Sequence, residues 1–134
     1  MASLTTTLSL SSAAGQVSSD ALSFSVSDTA SVTAPTINIS KITATTTANE
    51  SIILPSKDVT RYVYIKHLGL NSAGGSSGAD QIKVKTGDAD STEIMRISKD
   101  EFAFFPHHGG GAGLIQLEAT ANTVQVEYAY FTRE

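Results

Sequence analysis

The chain has 134 residues, 40% of them apolar, and a formal net charge of −4. This is the size of one ordinary domain and the composition of neither a membrane protein nor a disordered chain. The absence of cysteine excludes a disulfide scaffold, a thiolate zinc site and a cysteine nucleophile. The acidic balance argues against nucleic-acid binding, no run is apolar enough for a membrane span, and the N-terminus lacks the basic and apolar regions of a signal peptide.

Serine and threonine replace charged residues over much of the chain. There are 18 serines and 16 threonines, 24 of them within the first 60 residues, whereas charged residues make up only 16% of the chain. Residues 1–40 carry two charges, Asp20 and Asp28, and no basic group. A surface of hydroxyl groups suits extended β-structure and hydrogen-bonded assembly, and it suits a freely soluble helical enzyme poorly.

Apolar residues recur at alternate positions within this serine- and threonine-rich part, which predicts strands. The three groups are Leu4, Leu8 and Leu10; Leu22, Phe24 and Val26; and Ile37, Ile39 and Ile42. The second group is the clearest, whereas the first fits a weaker strand or an extended arm. We expect Met1–Ala21 to be a partner-binding arm that is poorly ordered in the free subunit, because little apolar area offsets the entropy of ordering it. A disordered tail over residues 1–20 is the alternative.

A denser domain is predicted from about residue 57 onward. Arg61–Leu68 mixes aromatic and β-branched residues on both faces, which is typical of a central strand. Residues 71–80 are too rich in glycine and serine for regular structure and are predicted to form an exposed loop. Gln81–Thr86 and Thr92–Ser98 are predicted to form a hairpin around the turn at residues 87–91.

The remaining segments also indicate short strands. Glu101–Phe105 is predicted to be a strand that ends at Pro106. A glycine loop over residues 108–113 precedes the strand Leu114–Ala119. The last strand, Thr123–Phe131, places Val124, Val126, Tyr128 and Tyr130 on one face.

These patterns predict an all-β fold, because no window has helical periodicity and seven to nine short strands are separated by turns. We expect a small antiparallel β-sandwich or barrel, jelly-roll-like, with an extended Ser/Thr-rich N-terminal arm. We assign residues 1–45 to an N-terminal β arm and its strands, and residues 46–134 to the sandwich domain. We expect residues 21–45 to form one compact unit with the sandwich domain. The predicted core consists of Phe24, Val26, Ile37, Val63, Ile65, Ile82, Val84, Met95, Ile97, Phe102, Phe104, Val124, Val126 and Tyr128.

No catalytic pattern is present, so we expect no enzyme activity and no cofactor. Serine occurs throughout, but no G-x-S-x-G sequence places one on a nucleophile elbow. The glycine-rich segment His108–Leu114 has no following Lys-Ser or Lys-Thr and opens no predicted helix, which excludes a P-loop.

Two groups of residues have side chains that can bind metal ions, but the spacing of neither group predicts a metal site. His107 and His108 lie side by side between Pro106 and three glycines. Adjacent residues of extended chain point to opposite faces, so the pair would chelate one ion poorly within a subunit. A shared site on a three-fold axis and a pH-sensitive contact are the alternatives to exposed loop histidines. Asp88, Asp90 and Glu93 partly resemble a calcium loop, but turn chemistry explains the two aspartates without an ion.

The C-terminal part resembles small virion structural proteins of tailed bacteriophages of the marine and cyanobacterial type. The resemblance lies in a succession of strand segments: VTRYVYIKH at Val59–His67, IKVKT at Ile82–Thr86, IMRI at Ile94–Ile97, DEFAFFP at Asp100–Pro106, LEA at Leu117–Ala119 and VQVEYAY at Val124–Tyr130. It implies a protein of the virion that is made in the host cytoplasm, with the major capsid protein or another virion protein as its partner, and no nucleic acid or membrane.

The resemblance leaves the place in the particle open. The first hypothesis is a capsid decoration (cement) protein that stabilises the shell. The alternatives are a tail, neck or fibre-attachment component, and a β-sandwich that binds a receptor or carbohydrate. We expect a homo-oligomer, with a trimer favoured by analogy to decoration proteins at three-fold positions. The candidate interface residues are Phe102, Phe105, Phe131, His107 and His108.

Overall fold

The structure is a computed structural model that describes residues 2–33, 39–48, 51–54, 60–87, 92–108 and 114–134. Within these ranges it is all-β and contains no helix, as predicted. Ten strands are present in the described part of the chain: β1 Ala2–Ser12, β2 Leu22–Val32, β3 Ser40–Ala44, β4 Ser51–Leu54, β5 Thr60–His67, β6 Ile82–Thr86, β7 Thr92–Ile97, β8 Phe102–His108, β9 Ile115–Ala119 and β10 Val124–Thr132.

The chain divides into two compact units, Met1–Ala34 with Glu134 and Pro35–Arg133. In the first unit β1 and β2 form a two-stranded antiparallel ribbon, paired without a register shift from Ala2 opposite Val32 to Ser12 opposite Leu22. The predicted strand at Leu22–Val26 is confirmed. Residues 2–12 form a paired strand and not a free arm, because their backbone groups bond to those of β2.

The ribbon has one hydroxyl face and one largely apolar face. The odd-numbered strand residues are all serine or threonine, and three cross-strand pairs join hydroxyl to hydroxyl at 3.1 Å: Thr5 with Thr29, Thr7 with Ser27, and Ser9 with Ser25. Phe24 and Val26 lie on the other face and are 47% and 51% exposed. The prediction that these two residues are in the core was wrong, because a two-stranded ribbon has no second layer of its own to cover them.

The second unit is a sandwich of two four-stranded antiparallel sheets, which confirms the predicted fold class. The strand order is β3-β10-β5-β8 in one sheet and β4-β9-β6-β7 in the other. The eight strands make four antiparallel pairs nested inside one another, with Ala44 opposite Val124, Ser51 opposite Leu117, Val63 opposite Phe105 and Val84 opposite Met95. A long antiparallel hairpin rolled into two sheets in this order is a jelly roll.

The core lies between the two sheets and contains most of the residues predicted for it. Val63, Ile65, Ile82, Val84, Ile97, Val124 and Val126 are buried, and Met95 and Tyr128 are partly buried against them. Phe102 and Phe104 were wrongly placed in the core. They are 65% and 37% exposed, because β8 packs its other face, with Ala103 and Phe105, against the core. Ile37 lies outside the described residues.

Strand β8 continues through Pro106, although the sequence predicted that it ends there. Pro106 pairs with Tyr62 of β5, and the strand reaches His108, which pairs with Thr60. Because β8 is at the edge of its sheet, the missing N–H of a proline can face away from the only partner strand.

The predicted loop at residues 71–80 is present and is held at both ends by the ring of His67. This ring is fully buried; its Nδ1 accepts a hydrogen bond from the Gly69 N–H at 2.9 Å, and its Nε2 donates to the Asp80 carbonyl at 2.9 Å. Within the loop, the Asn71 side-chain oxygen accepts the N–H groups of Ala73 and Gly75, both at 3.0 Å. Gly69 has φ +72, and a Cβ there would lie 2.8 Å from Asp100 Oδ1, so glycine is favoured at this position.

Replacing Val126 with alanine tests the position of the core. Val126 is fully buried between the sheets, so Val126→Ala should lower the free energy of unfolding by about 2 kcal/mol through lost transfer energy and a residual cavity. The matched control is Val17→Ala, since Val17 is 76% exposed. Urea denaturation measures both, and equal midpoints for the two variants would contradict the assigned core.

Replacing His67 with phenylalanine tests the loop anchor. His67→Phe keeps a ring of similar size but leaves the Gly69 N–H and the Asp80 carbonyl without their partner. Each unsatisfied buried group costs about 1–3 kcal/mol, so we expect a large fall in the urea midpoint and faster hydrogen exchange at the Gly69 amide. His108→Phe is the control, because His108 is exposed. An unchanged Gly69 exchange rate in His67→Phe would show that the ring does not hold the loop.

Candidate functional site

The outer surface of the β3-β10-β5-β8 sheet carries a group of large apolar side chains, which we name the aromatic face. Its members are Ile39, Tyr62, Tyr64, Phe102, Phe104 and Phe131. They come together because alternate residues of β5, β8 and β10 point away from the core. Ile39 and Phe102 are 62% and 65% exposed, which is unusual for residues of this size in a folded domain.

Two aromatic side chains of this face stack on each other. The rings of Tyr62 and Phe104 have centroids 5.7 Å apart and planes within 2° of parallel. Beside them, a shallow groove of about 220 Å³ is lined by Ile39, Tyr64, Phe104, Ala129 and Phe131. Ala129 is only 1% exposed, so this small residue forms the floor between larger neighbours. The surface is therefore apolar and uneven, with large side chains on both sides of a groove along β10.

Polar groups border the aromatic face at one end. The Tyr64 hydroxyl donates a hydrogen bond to Glu127 Oε1 at 3.1 Å. Partial burial raises the pKa of Tyr64, and the hydrogen bond to Glu127 and the charge of this carboxylate raise the pKa further. Glu127 pairs in register with Lys41 of β3 and Lys66 of β5, so cations flank the carboxylate on both neighbouring strands.

The outer surface of the β4-β9-β6-β7 sheet is different, because charged side chains pair there. Glu118 of β9 accepts hydrogen bonds from Lys83 Nζ, at 2.6 Å, and from Lys85 Nζ of β6. These two lysines hold the pKa of Glu118 below its usual value. On β7, Arg96 pairs with Glu93 at 2.7 Å, which lowers the pKa of Glu93 and raises that of Arg96. The two outer surfaces of the jelly roll thus differ sharply in polarity.

The residues predicted to form an interface are divided by the structure between the two sides of one sheet. Phe102 and Phe131 lie on the aromatic face, Phe102 beside Lys66 and Phe131 beside Tyr62. Phe105 lies on the inner side and packs against the core, so we remove it from the candidate interface. His108 is exposed, with Nδ1 2.9 Å from the Thr60 hydroxyl, and His107 is half-buried.

Sequence reasoning missed Tyr62, Tyr64 and Ile39 as surface residues. The signal for the two tyrosines was present: in β5 aromatic residues alternate with Val63 and Ile65, so one face had to be aromatic and the other aliphatic. Val63 and Ile65 are 1% and 0% exposed, so the aliphatic face of β5 packs into the core and the aromatic face points outward.

Metal-ligating residues do not gather in the part of the chain that the structure describes. No group of three or more His, Asp, Glu or Cys side chains there has the geometry to hold a metal ion. Asp88 and Asp90 of the calcium-like segment, and the glycine loop at residues 109–113, lie outside the described residues.

The described residues contain no helix long and apolar enough to cross a bilayer.

Comparisons with known proteins give no relative for this chain: no protein-family model, no curated protein and no solved structure matches it.

The Glu118 cluster predicts how stability depends on pH. A carboxyl group whose pKa is lower in the folded state stabilises the fold above its unfolded pKa, near 4.5, and this contribution disappears as the pH falls through the lower, folded value. We expect the urea midpoint to fall between about pH 5 and pH 3, and to fall less in Glu118→Gln. Glu134→Gln, which removes an exposed carboxylate, is the control. Parallel midpoint curves for wild type and Glu118→Gln would contradict this role.

Proposed function

We propose that this chain is a non-enzymatic structural protein of a phage virion, most specifically a capsid decoration protein that docks on the shell through its aromatic face. The observation that carries this proposal is the polarity difference between the two outer surfaces of the jelly roll. One surface has its charges paired internally, whereas the other exposes Phe102, Phe104 and Ile39. A surface of exposed aromatic residues with charges only at its border has the composition of a protein–protein interface core.

The energetics favour a macromolecular partner. Fully burying one phenylalanine or isoleucine side chain contributes about 1.5–3 kcal/mol, so covering Ile39, Phe102 and Phe104 supplies several kcal/mol per copy. Each contact needs only modest affinity, because many copies on one shell, or several copies in one oligomer, bind with avidity. A homo-oligomer of three copies, as the resemblance implies, would use this effect.

The fold is compatible with this role and does not decide it. Jelly rolls occur in viral capsid proteins and in lectins, so fold alone supports a virion protein and a carbohydrate-binding protein equally. The stacking of Tyr62 on Phe104 favours a protein partner over a sugar. Two parallel rings that partly overlap leave less flat ring surface for a sugar to stack on than two separate rings would.

A binding experiment with particles tests the proposal. Shells of the phage that encodes this chain, prepared without it, are mixed with wild-type protein or with Phe102→Ser/Phe104→Ser. Wild-type protein should saturate at a copy number set by the shell lattice. The double variant should bind at least about tenfold more weakly, since 1.4 kcal/mol corresponds to a factor of ten. Ile94→Ser is the matched control, because Ile94 is 42% exposed on the other sheet.

Three results would contradict the decoration proposal. Saturation at only a few copies at one vertex would indicate a tail, neck or fibre-attachment component. Saturable binding to glycans, with no binding to shells, would indicate a carbohydrate-binding protein. Equal weakening by Ile94→Ser and by the double variant, with circular dichroism unchanged in both, would remove the aromatic face from the contact.

A further inference from the structure

The ribbon of β1 and β2 exposes a second apolar surface, which we name the apolar stripe. It consists of Leu8, Leu10, Leu22, Phe24 and Val26, which are 38–51% exposed. The register brings them together on one face, with Leu8 opposite Val26 and Leu10 opposite Phe24. None of these residues belongs to the aromatic face.

The opposite face of the ribbon is satisfied by its own hydrogen bonds. Its hydroxyl groups pair across the strands at 3.1 Å in three places, and all the residues of this face are exposed. The ribbon is thus amphipathic, with one side suited to water and one side suited to another apolar layer. A two-stranded hairpin alone is marginally stable at best, so a further layer on the apolar stripe is what such a ribbon needs.

Charge limits the kind of partner that fits the stripe. Asp28 is the only charged residue in the two strands, and it stands opposite Thr6, beyond Leu8 and Val26 at the end of the stripe. Its carboxylate accepts the Thr29 N–H at 2.9 Å. The stripe offers no cation, and its one anion lies at its end, so charge complementarity does not select a partner for this surface. The stripe instead fits an uncharged apolar surface with the same two-residue period, and a second stripe has both properties.

We infer that the apolar stripe packs against the apolar stripe of a second copy of this chain. Two ribbons packed face to face, about 10 Å apart, interleave their leucine, phenylalanine and valine side chains. Both hydroxyl faces then point to solvent, and the Asp28 carboxylates remain at the rim. This contact is independent of the proposed function, because it involves another unit of the chain and another surface.

The area of the apolar stripe sets the strength of this contact. The stripe occupies five residues of each strand, or about 17 Å, and two strands are about 10 Å wide, so two stripes bury roughly 340 Å² together. Stable interfaces of standard size bury about 1,200–2,000 Å². The contact is therefore weak in dilute solution and becomes effective where copies are held side by side.

Single-cysteine variants test the inference directly, because the chain has no cysteine of its own. Leu8→Cys, Leu10→Cys and Val26→Cys place the thiol on the stripe, and Thr7→Cys, Ser9→Cys and Ser25→Cys place it on the hydroxyl face of the same strands. Under mild oxidation at high protein concentration, the stripe variants should form disulfide-linked dimers several times faster than the hydroxyl-face variants. Equal rates on the two faces, or no dimer from any stripe position, would overturn the inference.

Sedimentation velocity provides a second measurement that does not require a new thiol. The average mass of the wild-type protein should rise above 14.0 kDa with concentration, and Val26→Lys should abolish this rise while Ser25→Lys preserves it. Phe102→Ser/Phe104→Ser should self-associate like the wild type. Loss of self-association in that double variant with Val26→Lys unaffected, or a wild-type mass of 14.0 kDa at every concentration, would refute stripe-to-stripe packing.

Discussion

Each strand of this chain has to divide its side chains between two opposite faces, because successive Cβ atoms of extended backbone point in opposite directions. Where one face is apolar and the other charged, as in β6, this division produces a core side and a solvent side. Strand β5 is apolar on both faces, so burying Val63 and Ile65 leaves Tyr62 and Tyr64 outside. The aromatic face is the direct result of building one sheet from strands with two apolar sides.

The same constraint explains what could be predicted from the sequence. In β6 and β10 a single face is aliphatic, and the buried residues Ile82, Val84, Val124 and Val126 follow from periodicity. In β8 periodicity offers two apolar sets, Phe102 with Phe104 and Ala103 with Phe105. The pairing of Val63 with Phe105 decides between them, and this pairing is a long-range contact that no local pattern contains. The candidate interface residues are divided for the same reason, with Phe102 and Phe131 on the outer side of the sheet and Phe105 on the inner side.

The two units also differ in the features of their edge strands. In the jelly roll, the edge strand β8 carries Pro106, and the pairings of β4 and β7 contain register shifts, at Ile52/Leu54 and Val84/Lys85. Prolines and bulges of this kind discourage the addition of further strands. In the ribbon both strands are edges, and neither contains a proline, a lysine or a register shift. These three edges of the jelly roll are thus protected against edge pairing, whereas the two ribbon strands carry none of these features.

The nested pairing of the jelly roll also orders the events of folding. The innermost pair, β6 with β7, joins strands that are five residues apart in the chain, whereas the outermost pair joins Ala44 to Val124. Loop-closure entropy grows with the length of chain between the paired strands, by about 0.6 kcal/mol for each doubling. Once β6–β7 and then β5–β8 have formed, each outer pair closes a loop that is already shortened. We therefore expect the jelly roll to close from its middle outward, at the slow rates typical of high contact order. We expect the ribbon, whose strands are separated by one short loop, to fold through local contacts.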